Sequence, residues 1–357
     1  MAPNLKIAIA GPRTGPLADF GKVQQLGAQK AIDDCNAKGG VNGQQVEGVF
    51  YDDVGTAIGA ASVANKIVAD SIKFVIGHPL SHCALPAAGI YEDAGILSIS
   101  PGATSTKFSE MDLKLAFRTT GVNSAQAKIA AEYIKAKGWE KNMAVFHDSQ
   151  PYGLDVAAHV KYALPSSKFD DGRTQQVAIG EKDYSAQVTV IRDKQIEFVF
   201  FGGHSPELGP LVRAAREQNL KLKFMASDGA DNVEDVINGS QGDPDFLEGL
   251  LTTGPKPYYL EEKNAKLYKA FDAEKDIACN PLTYASYAAV QVITDGIANA
   301  KSLKGDEVAA VLRSNVFDTV VGQVEFDDTG DVKDFEFTVY EWTKSSDGRT
   351  LTRRTVA

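Results

Sequence analysis

The chain has 357 residues, 43% of them hydrophobic, enough to bury two or three cores or one body built from two lobes. It carries 47 acidic against 37 basic side chains, a formal net charge of -10. That balance excludes the basic surface that nucleic-acid phosphates require, and no Lys/Arg block favours an anionic membrane.

The first residues, Met1-Ala2-Pro3-Asn4, run almost directly into a strand-like segment with no charged region ahead of an apolar one, so no signal peptide is expected there. Two readings follow: a cytoplasmic protein, or the mature form of an exported one. No apolar run of about 18 residues occurs, so no membrane-spanning helix is expected. Residues 5–10 (LKIAIA) read as a buried strand broken by Gly11-Pro12 and Gly15-Pro16. A helix over 19–37, with Ala28, Ala31, Ile32 and Cys35 on one face, closes at Gly39-Gly40. A strand at 46–51, a helix through Ala60, Val63, Ala64 and Ile67, and strands at 73–76 and 96–100 continue the βα rhythm. Such alternation predicts a parallel sheet covered on both faces.

The rhythm restarts after Thr120. Asn123 or Ser124 is expected to cap a helix closed by Gly138. Strands at 143–147, 176–179, 198–201 and 224–226 alternate with helices at 156–162, 186–191, 207–218 and 233–237. A strand at 250–254, helices at 260–271, 284–298 and 307–312, and strands at 318–320, 323–326 and 335–342 do not make a third lobe. They are best spent completing the first two. The expected fold is α/β, two doubly wound parallel-sheet lobes joined by a three-segment hinge. One lobe takes residues 1–120 and 250–327, the other 121–249 and 328–357. A cleft is expected at the carboxyl ends of the strands.

Catalytic signatures are absent: no GxGxxG after the first strand, no GxxxxGK[ST], no HExxH and no GxSxG. Cys35, Cys83 and Cys279 lie far apart without CxxC spacing, which argues against a metal or redox site and leaves one disulfide open. His78 and His82 are four apart, but Pro79 disfavours a helix at His78, so no metal site is expected. His147-Asp148 at a strand end reads as a hydrogen-bonded rim pair, with a catalytic dyad as the other reading. The strand ends are rich in small polar residues: 77–81, Ser100-Pro101-Gly102-Ala103-Thr104, Gly202-Gly203-His204-Ser205 and Ser227-Asp228-Gly229. Hydroxyls and helix-terminal N–H groups suit a carboxylate, and an Asp on the facing lobe suits an ammonium. Together they suit a zwitterion.

These segments resemble the leucine/isoleucine/valine-binding protein family, type I periplasmic binding proteins that serve ABC importers. The resemblance rests on Tyr51-Asp52-Asp53, Val63-Ala64-Asn65-Lys66-Ile67-Val68, Phe74-Val75-Ile76-Gly77-His78 and Ile90-Tyr91-Glu92-Asp93-Ala94-Gly95-Ile96. It continues through Ile99-Ser100-Pro101-Gly102-Ala103-Thr104, His147-Asp148 with Tyr152-Gly153, and Gly180-Glu181-Lys182-Asp183-Tyr184-Ser185. It implies that Ser81 and Thr104 hold the ligand carboxylate and that Gly102, with its neighbour Ala103, offers backbone groups. It further implies that Asp228, where familiar members have Glu, takes the ammonium and that Tyr152 helps close the cleft. His204 stands where those members usually have Tyr. The side-chain pocket it implies contains Phe20, Pro79, Leu80 and Leu282, which suits an aliphatic ligand, with Arg13 and His82 nearby as the route to a polar one. The family's cysteine pair falls on Gly55 and Leu80, so that disulfide is not expected.

The implied protein is a periplasmic, monomeric, cofactor-free binder of free valine, leucine or isoleucine that hands its ligand to an ABC-transporter permease, and not an enzyme. A sensor of the same fold for a polar amino acid or amide-type ligand is the alternative, and a hydrolase using cleft histidines the remote one.

Overall fold

Two units emerge in a computed structural model, which describes residues 3–165, 169, 171–271, 279–345 and 351–357. Unit 1 comprises Met1–Gly121 and Pro257–Phe335, and unit 2 comprises Val122–Lys256 and Glu336–Ala357. The chain thus passes between units three times.

The first segment supplies β1 (Leu5–Gly11), α1 (Ala18–Ala37), β2 (Val46–Asp52), α2 (Ala57–Ala69), β3 (Phe74–Gly77), α3 (Ser81–Asp93), β4 (Leu97–Ser100), α4 (Thr106–Glu110) and β5 (Ala116–Arg118). The second supplies α5 (Asn123–Ala136), β6 (Met143–His147), α6 (Pro151–Ala163), β7 (Thr174–Gln176), α7 (Ser185–Asp193), β8 (Phe198–Gly202), α8 (Ser205–Glu217), β9 (Lys223–Ala226), α9 (Val233–Gly239) and β10 (Leu251–Pro255). The return to unit 1 brings α10 (Ala265–Phe271), α11 (Pro281–Ala300), α12 (Gly305–Ser314) and the hairpin β11 (Val316–Thr319) and β12 (Gly322–Glu325). The last crossing adds β13 (Phe337–Lys344) and β14 (Leu351–Thr355) to unit 2.

Unit 1 has a parallel sheet in the order β2-β1-β3-β4-β5. Successive side chains of β1 point to opposite faces. Ile7 and Ile9 therefore join Phe74, Ile76, Leu97, Ile99 and Phe117 in one core, while Ala8, Ala10 and Val75 join the other against α2 and α3. The small side chains on that second face suit the close approach of its helices. α11 completes the first core, and it lies so close to α1 that a Cβ on Gly27 would fall 2.1 Å from the Thr283 carbonyl oxygen. Gly39 and Gly40, at φ 102° and 75°, stop α1 as the pattern predicts, since non-glycine residues rarely adopt such angles. Thr56 caps α2 by accepting from the Gly59 amide at 3.0 Å.

Unit 2 repeats the order as β7-β6-β8-β9-β10 and extends it with antiparallel β13 and β14. Trp342 of β13 is fully buried, its indole N–H donating to Thr252 Oγ1 at 3.1 Å. Among the described residues no helix is long and apolar enough to cross a membrane.

Several expectations shift. Residues 250–256, assigned above to the first lobe, lie in unit 2, because β10 pairs with both β9 and β13. Residues 328–335, assigned to the second lobe, lie in unit 1, where the Gly330 carbonyl accepts from the Arg118 amide at 3.0 Å. The strand expected at 176–179 is centred earlier, at β7, and the helix expected at 260–271 is two short 3-10 turns followed by α10. Asn123 is the first residue of α5 rather than its cap: its amide donates to Asp155 Oδ2 at 2.8 Å, and the preceding Val122 makes no side-chain cap.

Candidate functional site

In both sheets the strand order reverses, between β1 and β3 in unit 1 and between β6 and β8 in unit 2. At such a reversal the following helices leave in opposite directions and open a space beyond the strand ends, where ligands of open α/β sheets bind.

In unit 1 this space is bordered by the loop from β3 into α3 and the loop from β4 into α4. α3 starts at Ser81 with no side-chain cap, so the positive end of its dipole remains available to an anion. Ser81 Oγ accepts from the Ser105 amide at 3.3 Å, which joins the two loops. Thr104, only 1% exposed, has a buried hydroxyl with no hydrogen-bond partner among the described residues. A buried hydroxyl left so carries a desolvation penalty, and a ligand acceptor would remove it. Gly102 lets the loops touch: a Cβ there would sit 2.7 Å from the Pro79 carbonyl oxygen and 3.1 Å from Leu282 Cδ1. Pro79, Gly102, Ala103, Thr104, Ser81 and Leu282 are therefore brought together.

Leu80 and Phe20 pack in the core under α3, Leu80 being 2% exposed. Leu80 Cδ1 lies 3.8 Å from where a Gly55 Cβ would be, so at the two positions of the family's cysteine pair this chain has an apolar packing contact. The His82 Nε2–H donates to the Gly55 carbonyl at 2.9 Å. His78, by contrast, is buried with Nδ1 2.5 Å from Asp53 and Nε2 3.0 Å from the Tyr91 hydroxyl. The two histidines serve different partners, and among the described residues no His/Cys/Asp/Glu group is arranged to hold a metal. Arg13 is exposed at the β2 side, its amide donating to Asp52 at 2.8 Å and its guanidinium 5.6 Å from the Phe50 ring. Among the described residues no disulfide joins the three cysteines.

In unit 2 the corresponding loops bring Asp148, Tyr152, His204 and Asp228 together. The Tyr152 hydroxyl donates to Asp228 Oδ1 at 2.5 Å and accepts from the Gly229 amide at 2.7 Å. Burial pushes the half-buried Asp228 carboxyl above its ordinary value, against the opposing pull of Tyr152, Gln126 and His204. Burial would lower the His204 imidazole, but the hydrogen bond and charge of Asp148, 2.7 Å from Nδ1, with Glu207 and Asp228 beyond, hold it above its ordinary value. Tyr152 and His204 rings lie 5.2 Å apart. The dyad reading of His147-Asp148 is not supported by this geometry. His147 Nδ1 accepts from the Ser149 amide at 3.2 Å, burial lowers its pKa, and Asp148 is committed to His204.

Two groups escaped the sequence reading. Gln126, fully buried on α5, lies close enough to Asp228 to favour its ionised form, yet among the described residues its amide completes no hydrogen bond. A glutamine on the buried face of α5, beside Ala127 and Ala130, was the available signal. Arg118, buried at the end of β5, donates to the carbonyls of Ala103 and Ser105 at 2.8 and 3.0 Å.

Comparison with known proteins bears on what these sites belong to. Residues 4–349 match the model of the family described as periplasmic binding protein. The chain is 40% identical over 345 residues to the leucine-, isoleucine-, valine-, threonine-, and alanine-binding protein of Pseudomonas aeruginosa, covering 97% of this chain and 91% of that one. It is 38% identical to the Leu/Ile/Val-binding protein of Escherichia coli K12, covering 96% and 92%. Among solved structures it superposes on the leucine binding protein LivK of Thermotoga maritima with a TM-score of 0.86, 23% identity and coverage of 99% and 98%. LivJ of Streptococcus pneumoniae in complex with isoleucine gives 0.84 and 24%, with 99% of both chains covered; these two likenesses concern the fold. The chain belongs to the periplasmic binding protein family, among relatives named for leucine, isoleucine and valine.

Proposed function

We propose that this protein is a periplasmic binding protein that captures a free branched-chain amino acid as a monomer and delivers it to the membrane permease of an ABC importer, acting as a binder and not as a catalyst. One observation carries the reading: the strand-order reversals of the two units carry opposite chemistry. Unit 1 presents an uncapped helix terminus, Ser81 and the unpartnered Thr104 hydroxyl, which suit a carboxylate. Unit 2 presents Asp228 oriented by Tyr152, which suits an ammonium. An α-amino acid has both groups on one carbon.

The surroundings of Gly102 favour an aliphatic side chain, since Pro79 and Leu282 are its apolar neighbours. Burying such a side chain contributes about 1.5–3 kcal/mol. The names of the relatives support the same ligand class.

The test is isothermal titration of protein denatured and refolded to strip carried ligand, against the twenty amino acids. One-to-one binding of valine, leucine or isoleucine is expected. Binding confined to a polar amino acid would overturn the aliphatic assignment, and no binding by correctly refolded protein would overturn the amino-acid reading itself.

A further inference from the structure

Thr104 sits on a short loop, and a hydroxyl can discriminate only if its position is held. The loop is gripped from below by a buried cation. Arg118 Nη1 donates to the carbonyls of Ala103 and Ser105, the residues on either side of Thr104. Its Nε donates to Asp331 Oδ1 at 2.5 Å, its Nη2 donates to Ser109 Oγ, and Ser109 Oγ donates in turn to Asp331 Oδ2 at 2.7 Å. The Phe108 ring covers the guanidinium at 5.0 Å. A planar fork with fixed N–H directions can hold two carbonyls and a carboxylate together, which the ammonium of a lysine cannot do.

A second buried charged group reaches the same loop from its other end. Asp53 binds the His78 ring and the Gly55 amide, the latter at 2.8 Å. The His78 carbonyl accepts from Ser100 Oγ at 2.7 Å, and Ser100 Oγ accepts from the Ala103 amide at 3.0 Å. Ala103, the residue just before Thr104, is thus fixed through its amide by one network and through its carbonyl by the other.

We infer that Arg118 and Asp331 are positioning residues for ligand binding, which they serve without touching ligand by holding Thr104 where its hydroxyl meets the carboxylate; this rests on the proposed amino-acid reading. Asp331 comes from the return segment of the chain, so the half-site of unit 1 is complete only when residues distant in sequence have joined it.

The experiment compares wild type, Asp331→Asn, Arg118→Lys and the milder Ser109→Ala, which keeps the ion pair. Wild-type titration with leucine, isoleucine and valine reads the amino-acid proposal by itself. Within it, Asp331→Asn and Arg118→Lys are expected to weaken binding tenfold or more, and Ser109→Ala by less. Adding Thr104→Val to Asp331→Asn is expected to cost little further, whereas adding Asp228→Ala multiplies the loss, because only Thr104 is reached through the brace. Affinity within twofold of wild type, or equal multiplication with both partners, overturns the inference. A ligand-free readout stands beside these: amide exchange over residues 103–107 should accelerate at least tenfold in Asp331→Asn or, where that variant does not fold, in Ser109→Ala. Unchanged exchange there overturns the inference even if wild type binds no amino acid.

Discussion

Replacing Thr104 by valine separates stability from binding because the two are expected to move in opposite directions. The side chain is 1% exposed and its hydroxyl has no partner among the described residues. Leaving a hydroxyl buried and unmatched costs about 1–3 kcal/mol, and valine of nearly the same shape removes that cost. Without ligand, Thr104→Val should therefore raise the melting temperature, by about 2–4 °C per kcal/mol for a unit of roughly 200 residues. With ligand the sign reverses. A hydrogen bond to a carboxylate contributes about 1.5–3 kcal/mol, so its loss should weaken binding roughly 10- to 150-fold. Thr104→Ser provides the control, keeping the donor and losing only a methyl group. Differential scanning calorimetry of stripped protein and titration with leucine read the two quantities. Affinity within twofold of wild type, or a melting temperature that falls in Thr104→Val, would refute the assignment of this hydroxyl to a ligand.

Asp228→Ala removes the proposed ammonium partner and should weaken amino-acid binding by about an order of magnitude or more, as charge-assisted hydrogen bonds are among the stronger ones; unchanged affinity in titration would count against the site. His204 titrates above its ordinary 6.5, so the stability it contributes is fully present below 6.5 and is lost as pH rises through its raised value. Melting temperature should fall across that window in wild type and flatten in His204→Gln. Asp228 titrates above its ordinary 3.8, and an ammonium needs it ionised, so ligand affinity should decline with falling pH while still above 3.8; titrations in a pH series check this. Gly102→Ala places a Cβ 2.7 Å from the Pro79 carbonyl oxygen, which should cost about 1–3 kcal/mol of stability and displace Thr104, lowering both melting temperature and affinity.

The βα alternation was legible because strands such as β8, and β1 beyond its exposed Lys6, are buried on both faces and so read as apolar runs, with glycines closing the helices. Elements lacking that signature were not. Helix α3 opens with Ser81 and His82 and contains Pro86, whose missing N–H deprives the His82 carbonyl of its partner, so its pattern is weak although its packing is tight. Strand β5 is three residues long and ends in a buried arginine, a residue that a hydrophobic pattern discounts. Edge strand β14 alternates around Thr and Arg with little apolar content. At the candidate site the loops were legible from turn residues at strand ends, but the pairings were not. Asp148 meets His204 across 56 residues and Tyr152 meets Asp228 across 76, and no local spacing encodes such contacts. Arg118 and Asp331 lie further apart still, and no local pattern joins them.

Because unit 1 is assembled from two stretches with most of unit 2 encoded between them, its order of synthesis differs from its order of packing. Ile7, Ile9, Ile76 and Ile99 leave the ribosome early, yet the core they form is closed by α11, which follows β10. At about 5–20 residues per second, that interval is on the order of 10–30 s. A chain that ends before α11 lacks the cover of that apolar face, and such a surface is prone to misassociation. A chain cut short before α11 should therefore give an aggregation-prone product instead of a half-sized domain.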